Sequence, residues 1–231
     1  MYREKKILAV IPARGGSKRL PNKNILSLKG KPLISWTIDE ASKSKYIDKV
    51  IVSTDSKEIA ELSRKLKAEV PFVRPEYLSS DSADSISVIK HAIEFYKNEY
   101  DYAVLLQPTS PLRKVADIDK AIELLSEEVQ SVVSVTECEH SPLWTNTLPK
   151  DSSLKSFINP EIKNTRSQDL PTFFRLNGAI YVAEVDYMIR NNGFFGDNSK
   201  AYVMPQDLSV DIDTQIDFLL AELLIEKQKE Q

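Results

Sequence analysis

Cys138 is the only cysteine in 231 residues. An internal disulfide and a cysteine-built metal site are therefore excluded, and the usage fits a reducing cytoplasm. Long apolar runs are missing too, since no stretch reaches the ~20 residues needed to span a bilayer. Met1 to Lys6 is charged and the apolar run after it is short, so no secretory leader is expected. Nor is there an excess of positive charge. Lys and Arg number 31 against 34 Asp and Glu, a net charge of −3. The whole molecule is thus not built to attract nucleic acid, and a membrane partner is not expected either. Two nucleotide fingerprints are absent. Gly15 and Gly16 are adjacent with no third glycine at the spacing of G-x-G-x-x-G. Gly16-Ser17-Lys18 lacks the upstream glycine and following hydroxyl of G-x-x-x-x-G-K-[ST]. A nucleotide bound here would be neither NAD on a standard Rossmann turn nor ATP on a P-loop.

What is present is a cationic loop. Ile7–Ile11 reads as a buried strand, and Arg14 to Asn24 follows it with two glycines, four cations and no acid. Glycine lets backbone N–H groups approach an anion, and Arg and Lys neutralise it. Composition alone leaves a solvated basic turn open. The acidic background makes the cations a local feature, which favours a small anionic ligand over a polyanion.

The composition, 42% hydrophobic and 28% charged, is ordinary for a globular chain, and the length suits one large domain. Helix and strand patterns alternate over the first two thirds. Strands are expected at 7–11, 49–53, 102–106 and 131–135, with a short extended segment at 70–73. Helices are expected at 33–42, 57–66, 86–96 and 115–125. This order predicts an α/β fold, a mostly parallel sheet with helices on both faces. From Cys138 to Leu176 prolines punctuate polar text and the alternation breaks, which reads as an excursion from the sheet. A strand at 177–182, a short helix at 185–190, a strand at 202–204 and a helix at 214–227 follow. The tail 226–231 is expected to fray.

Ligands of open parallel sheets bind beyond the carboxyl ends of strands. Arg14 to Lys23, Thr54-Asp55 and Gln107 to Arg113 all follow strands, which predicts a shared cleft. Each also has a local reading as a cap or, for Arg113, as surface charge. Ser209-Val210-Asp211-Ile212-Asp213 is the second strong feature. In an extended segment Asp211 and Asp213 face one way while Val210 and Ile212 turn to the core. Paired carboxylates repel unless a cation compensates, and the hard ion Mg²⁺ suits them. Asp213 alternatively caps the helix that follows. Trp36 and Tyr96 read as core, His91 as a boundary residue, and Cys138 as a small buried apolar group. His140 reads as surface with an alternative near the cleft.

Together these residues resemble the sialic-acid cytidylyltransferases, the CMP-N-acylneuraminate synthetases and their bacterial relatives acting on legionaminic and pseudaminic acids. The resemblance is carried by Ile11 to Lys18 with Leu20-Pro21 and Lys23-Asn24, by Ile51 to Asp55, Arg74-Pro75, Leu106 to Arg113, Phe174 to Tyr181 and Ser209 to Asp213. These motifs run in order over almost the whole chain. It implies the nucleotide-diphospho-sugar transferase fold and one domain, 1–231, whose excursion 138–176 makes a homodimer with a shared active site. It also implies the reaction of CTP with a nine-carbon 2-keto sugar acid to give the CMP-sugar and pyrophosphate.

Carried over by motif, Arg14 and Lys23 would hold the triphosphate, with Lys23 on the α-phosphate. Ser17 and Asn24 would seat the nucleotide, and Arg74 and Ser82 would lie near cytosine. Gln107 and Tyr181 would meet the sugar acid. Asp211 and Asp213 would bind Mg²⁺, and Asp211 would help deprotonate the anomeric hydroxyl. Phe194 and Phe195 resemble an aromatic pair on the N-acyl group, with two core aromatics as the alternative. Arg166 would reach the partner's sugar. Trp144 stands where some sialic-acid members have lysine, which leaves the sugar open and points toward the more apolar legionaminic acid. Gly15-Gly16 argues against the eight-carbon acid Kdo. The intact Arg14, Lys23, Asp211 and Asp213 argue against a non-catalytic nucleotide-binding regulator.

Overall fold

The computed structural model describes residues 1–80 and 82–229. Its first strand, β1 (Ile7–Pro12), is buried along almost its whole length. A small hairpin follows, β2 (Ser27–Leu28) and β3 (Lys31–Pro32). Lys29 and Gly30 both take positive φ, 50° and 84°, the backbone that a two-residue hairpin loop requires. Then come α1 (Leu33–Ser42), β4 (Lys49–Ser53), α2 (Lys57–Lys65), α3 (Ser85–Phe95), β5 (Tyr102–Leu105) and α4 (Val115–Glu123). The chain ends with β6 (Ser131–Glu137), β7 (Phe174–Glu184), α5 (Val185–Asn191), β8 (Ser199–Val203) and α6 (Gln215–Lys229). Side-chain caps fix two helix starts. Ser56 accepts from the Ile59 amide, and Asp84 accepts from the Ser87 amide at 2.8 Å.

Six strands form one sheet in the order β4-β1-β5-β7-β6-β8. β1 is parallel to both β4 and β5, and β6 is parallel to β8. β7 runs against β5 and β6, so the sheet is mixed and mostly parallel. Chain order places β4 on one side of β1 and β5 on the other. Between β1 and β5 the crossovers diverge, and the crevice beyond their carboxyl ends is where such a sheet offers a ligand site.

The pleat of β1 divides two cores. Ile7, Ala9 and Ile11 pack with α1, α2 and α4 through Ile34, Ile38, Ile59, Ile118 and Ile122. Leu8 and Val10 face the other way, toward Ile89 and Ile93 of α3 and Tyr187 and Met188 of α5. A third cluster seats α6 through Phe218, Ala221 and Ile225 on Leu28, Leu33, Leu112, Val210 and Ile212.

Several boundaries differ from the sequence reading. β7 begins at Phe174, because residues 174–176 pair with Val135, Thr136 and Glu137 of a β6 that runs past Val135. The excursion is thus 138–173, an insertion at the tip of an antiparallel ribbon, and no residue from Glu137 to Leu176 is buried. β8 begins three residues before the expected strand. Residues 226–229 continue α6 instead of fraying. Glu230 and Gln231, the end of the expected tail, lie outside the described residues. Among the described residues no helix is long and apolar enough to cross a membrane.

Candidate active site

The loop after β1 is held from behind. The Gly15 amide donates to Asp55 Oδ1 at 2.9 Å. A Cβ on Gly15 would sit 3.1 Å from the Ser56 Cβ, so glycine permits this approach of the β1 loop to the β4 end. Asn24, 6% exposed, donates from Nδ2 to the Arg14 carbonyl at 3.0 Å and ties the loop's two ends together. The loop arches over a cleft of about 480 Å³, a size suited to a small-molecule ligand. Arg14, Ser17, Lys18, Arg19, Lys23 and Asn24 line one wall. Gln107, Pro108 and Thr109 after β5 line another, with Asp213 at the edge. Asp55 supports this cleft from outside and does not line it.

Arg14 donates to the Ser80 carbonyl at 3.0 Å, bridging the cleft to the segment before α3. Arg74 is 5% exposed and donates from Nε to Ser53 Oγ and from Nη2 to the Ser53 carbonyl. Burial lowers its pKa to about 10, with Asp55 opposing and Arg14 adding to the shift. Arg74 is also part of the cleft lining.

Residues 209–213 belong to no strand, yet the alternation holds. Val210 and Ile212 are buried in the α6 cluster while Asp211 and Asp213 turn away from it. The Ile212 amide donates to the Thr109 carbonyl at 2.8 Å, which docks this segment on the β5 loop. Asp211 is largely buried, and burial raises its pKa. A Thr109 hydrogen bond and Lys23 work against that shift, and Asp213 adds to it. Its Oδ1 is buried with no hydrogen-bond partner, a costly state for a carboxylate. Asp213 pairs with Lys23 Nζ at 2.9 Å and Arg19 Nη1 at 2.9 Å. It does not cap α6, because Thr214 Oγ1 accepts the Asp217 amide at 3.4 Å and the Asp217 carboxylate takes the Thr214 amide in return at 2.7 Å. Lys23 Nζ also reaches the Ile212 carbonyl at 2.6 Å. The two loops are therefore joined by Lys23.

Tyr181 is half-buried in β7. Its ring lies 5.3 Å from that of Phe194, and burial together with Asp211 raises its pKa. The expected aromatic pair divides. Phe194 is 3% exposed in the core under β7, so its place on a sugar N-acyl group is withdrawn; Phe195 is 57% exposed. Ser82 sits at the rim, 3.1 Å from the Ser80 hydroxyl, and the lining there comes from Ser80, Ala83, Asp84 and Ser85. Arg166 and Trp144 lie in the excursion and do not line this chain's own cleft. His140 is exposed in that segment, and His91 packs edge-on against Phe72. Cys138 is part-exposed at the end of β6, not buried.

Sequence reasoning missed three things. Arg113, read as possible surface charge, is 1% exposed beneath the β5 loop. Arg19 joins the Asp213 ion pairs, although only its place in the basic run hinted at a role. The wall of Leu78, Ser80 and residues 83–88 carried no motif beyond the neighbouring Ser82; its signal was the Asp84 cap that opens α3.

Comparison with known proteins fits this geometry. A family model described as cytidylyltransferase matches residues 8–230. The chain is 40% identical to the CMP-N,N'-diacetyllegionaminic acid synthase of Legionella pneumophila, over 97% of this chain and 98% of that protein. It is also 40% identical to an N-acylneuraminate cytidylyltransferase of Escherichia coli, over 98% of this chain, and spans 54% of that protein's length. Among solved structures, a CMP:2-keto-3-deoxy-manno-octonic acid synthetase complexed with CTP has the same fold. Its TM-score is 0.71 at 17% identity, covering 96% of this chain and 99% of that one. With a family model matched over nearly its whole length, the chain belongs to the cytidylyltransferase family.

Proposed function

We propose that this protein transfers CMP from CTP to a nine-carbon, sialic-acid-like 2-keto sugar acid and releases pyrophosphate. The observation that carries the reading is one cleft with cations along one wall and an unpartnered, buried Asp211 oxygen behind the facing loop. The anomeric hydroxyl oxygen attacks the α-phosphorus, the bond from that phosphorus to the bridging oxygen breaks, and pyrophosphate leaves. Arg14 and Lys23 hold the triphosphate, Lys23 taking up charge at the α-phosphate, and Ser17 and Asn24 seat the nucleotide. Arg74 and the wall of Leu78, Ser80 and residues 83–88 face the base. Gln107 and Tyr181 orient the sugar acid, and Asp211 draws the proton from the attacking hydroxyl. Catalysis is positioning plus electrostatic stabilisation.

Asp211 and Asp213 fit Mg²⁺. That ion is held by one or two carboxylates and substrate phosphates, and Asp211 Oδ1 lacks a partner. Among the described residues no group of three or more metal-binding side chains gathers; Asp211 and Asp213 are the two carboxylates that would hold the ion. When bound, the ion supplies neutralisation of phosphate charge. Lys23 and Arg19 hold Asp213 in its place and would turn to the phosphates where the ion took over that carboxylate.

The unburied excursion 138–173 supports a homodimer in which Arg166 and Trp144 reach the partner's sugar. The reading places the enzyme in the cytoplasm. Trp144 offers an apolar wall, and the Legionella relative is named for N,N'-diacetyllegionaminic acid, so that sugar is expected to serve at least as well as N-acetylneuraminic acid. Pyrophosphate release with CTP or ATP and each sugar tests the whole reading. Equal turnover of ATP and CTP would defeat the nucleotide assignment. A preference for N-acetylneuraminic acid unchanged in Trp144→Lys would remove Trp144 from sugar choice.

A further inference from the structure

Arg113 is a large, fully buried cation, and no salt bridge reaches it among the described residues. Such burial is costly, and an apolar side chain of similar volume would fill the space without that penalty. What the guanidinium does in this place is visible in its acceptors. Nη1 donates to the Ala179 carbonyl at 2.7 Å and the Gln107 carbonyl at 3.3 Å. Nη2 donates to Thr37 Oγ1 at 2.8 Å, and that hydroxyl also donates to the Gln107 carbonyl, at 3.4 Å. The acceptors come from β7 just past Gly178, from the β5 loop and from α1. Nε has no partner. A rigid planar fork can span these three elements; an ammonium cannot.

We propose that Arg113 is a positioning residue for the sugar-acid side of the cleft, acting through Gln107. Arg113 does not line the cleft. Gln107 does, and its Oε1 accepts from Thr109 at 3.5 Å. The same oxygen would be 3.2 Å from a Cβ on Gly178, and Asp211 Oδ2 3.5 Å from it. The loop is thus pinned twice. Arg113 holds the Gln107 carbonyl, and Ile212 holds the Thr109 carbonyl. Between these pins the Gln107 side chain is aimed across Gly178 toward the Asp211 segment. The β1 loop that carries the phosphate cations has anchors of its own, Asp55 on the Gly15 amide and Asn24 on the Arg14 carbonyl, and its link to this wall, Lys23 to Ile212 and Asp213, lies at the Ile212 pin and not at Arg113. Loss of the fork should therefore disturb the sugar acid and spare the nucleotide.

This inference rests on the proposed reaction. Its test measures wild type, Arg113→Lys and Arg113→Met for CTP affinity by titration calorimetry and for kcat and KM with N,N'-diacetyllegionaminic and N-acetylneuraminic acids. Arg113→Lys keeps the charge and loses the fork. Its kcat/KM for the sugar should fall about tenfold or more, the scale of a sub-ångström misplacement, with CTP affinity within about twofold of wild type. On a Gln107→Ala background the same change should cost less than about threefold, because both act through one group. Sugar kinetics near wild type, an equal loss of CTP affinity, or full additivity with Gln107→Ala would each overturn the assignment. So would a failure of both variants to fold, which would make Arg113 purely structural. A wild type inactive with both sugars would instead refute the reaction itself, and this assignment with it.

Discussion

Gly178→Ala is the sharpest probe of how the sheet builds the site. Gly178 lies at φ +71° in β7, where the β6–β7 register shifts between Val133 and Val135. An L-residue in the left-handed region costs ~1–2 kcal/mol. Restricting the unfolded chain returns roughly 0.4–1 kcal/mol, leaving a net loss of about 1 kcal/mol. In a chain of this length that lowers Tm by roughly 2–4 °C. The functional effect should be larger. The new methyl would meet Gln107 Oε1 at 3.2 Å and Asp211 Oδ2 at 3.5 Å, and Gln107 must give way. Its sugar-facing geometry then shifts, and kcat/KM for the sugar acid should fall on the order of tenfold or more, while CTP affinity holds. Scanning calorimetry and pyrophosphate release at varied sugar and CTP read the two effects. Gly16→Ala is the stability control, because a Cβ there meets nothing within 4 Å. Unchanged sugar kinetics in Gly178→Ala, or a defect confined to CTP, would refute the reasoning.

Three further outcomes follow from the same geometry. Lys23→Ala removes the cation that joins Asp213 and the Ile212 carbonyl; kcat should fall on the order of 10²–10³, and a wild-type rate would take Lys23 out of the site. Asp211→Asn should raise the Mg²⁺ concentration needed for activity. By removing a buried charge with an unpartnered oxygen it should also stabilise the metal-free protein by about 0.5–2 kcal/mol, read as a higher Tm in EDTA; a lower Tm counts against this account of Asp211. Mixing Arg166→Ala with Lys23→Ala should restore activity through hybrid dimers, and sedimentation as a fully active monomer would end that scheme.

Much of this protein is determined locally, and such features are legible in order along the chain. β1 announces itself because both faces are covered, which demands unbroken apolar residues. α1, α2 and α4 show one apolar stripe each. The alternation at Val210 to Asp213 needs no sheet, only an extended chain laid on a core, and so it survived although no strand forms there. The basic run from Arg14 to Lys23 is visible because like charges gather against their own repulsion only where an anion or carboxylate answers them.

Tertiary structure decided what depends on partners far apart in sequence. The reversal of β7 arises from its pairing with β5 and β6, and no residue within 174–184 encodes direction. Phe194 and Phe195 are identical and adjacent, yet one is core and the other exposed, because the chain's turn before β8 buries only one ring. Arg113 reads as a surface cation until α1, the β5 loop and β7 close around it with three acceptors. Asp213 reads equally as a helix cap or a ligand until Thr214 takes the cap and Lys23, 190 residues away, takes Asp213. Composition and spacing report which groups a chain carries; burial and long-range hydrogen bonding determine which of those groups stay available for chemistry.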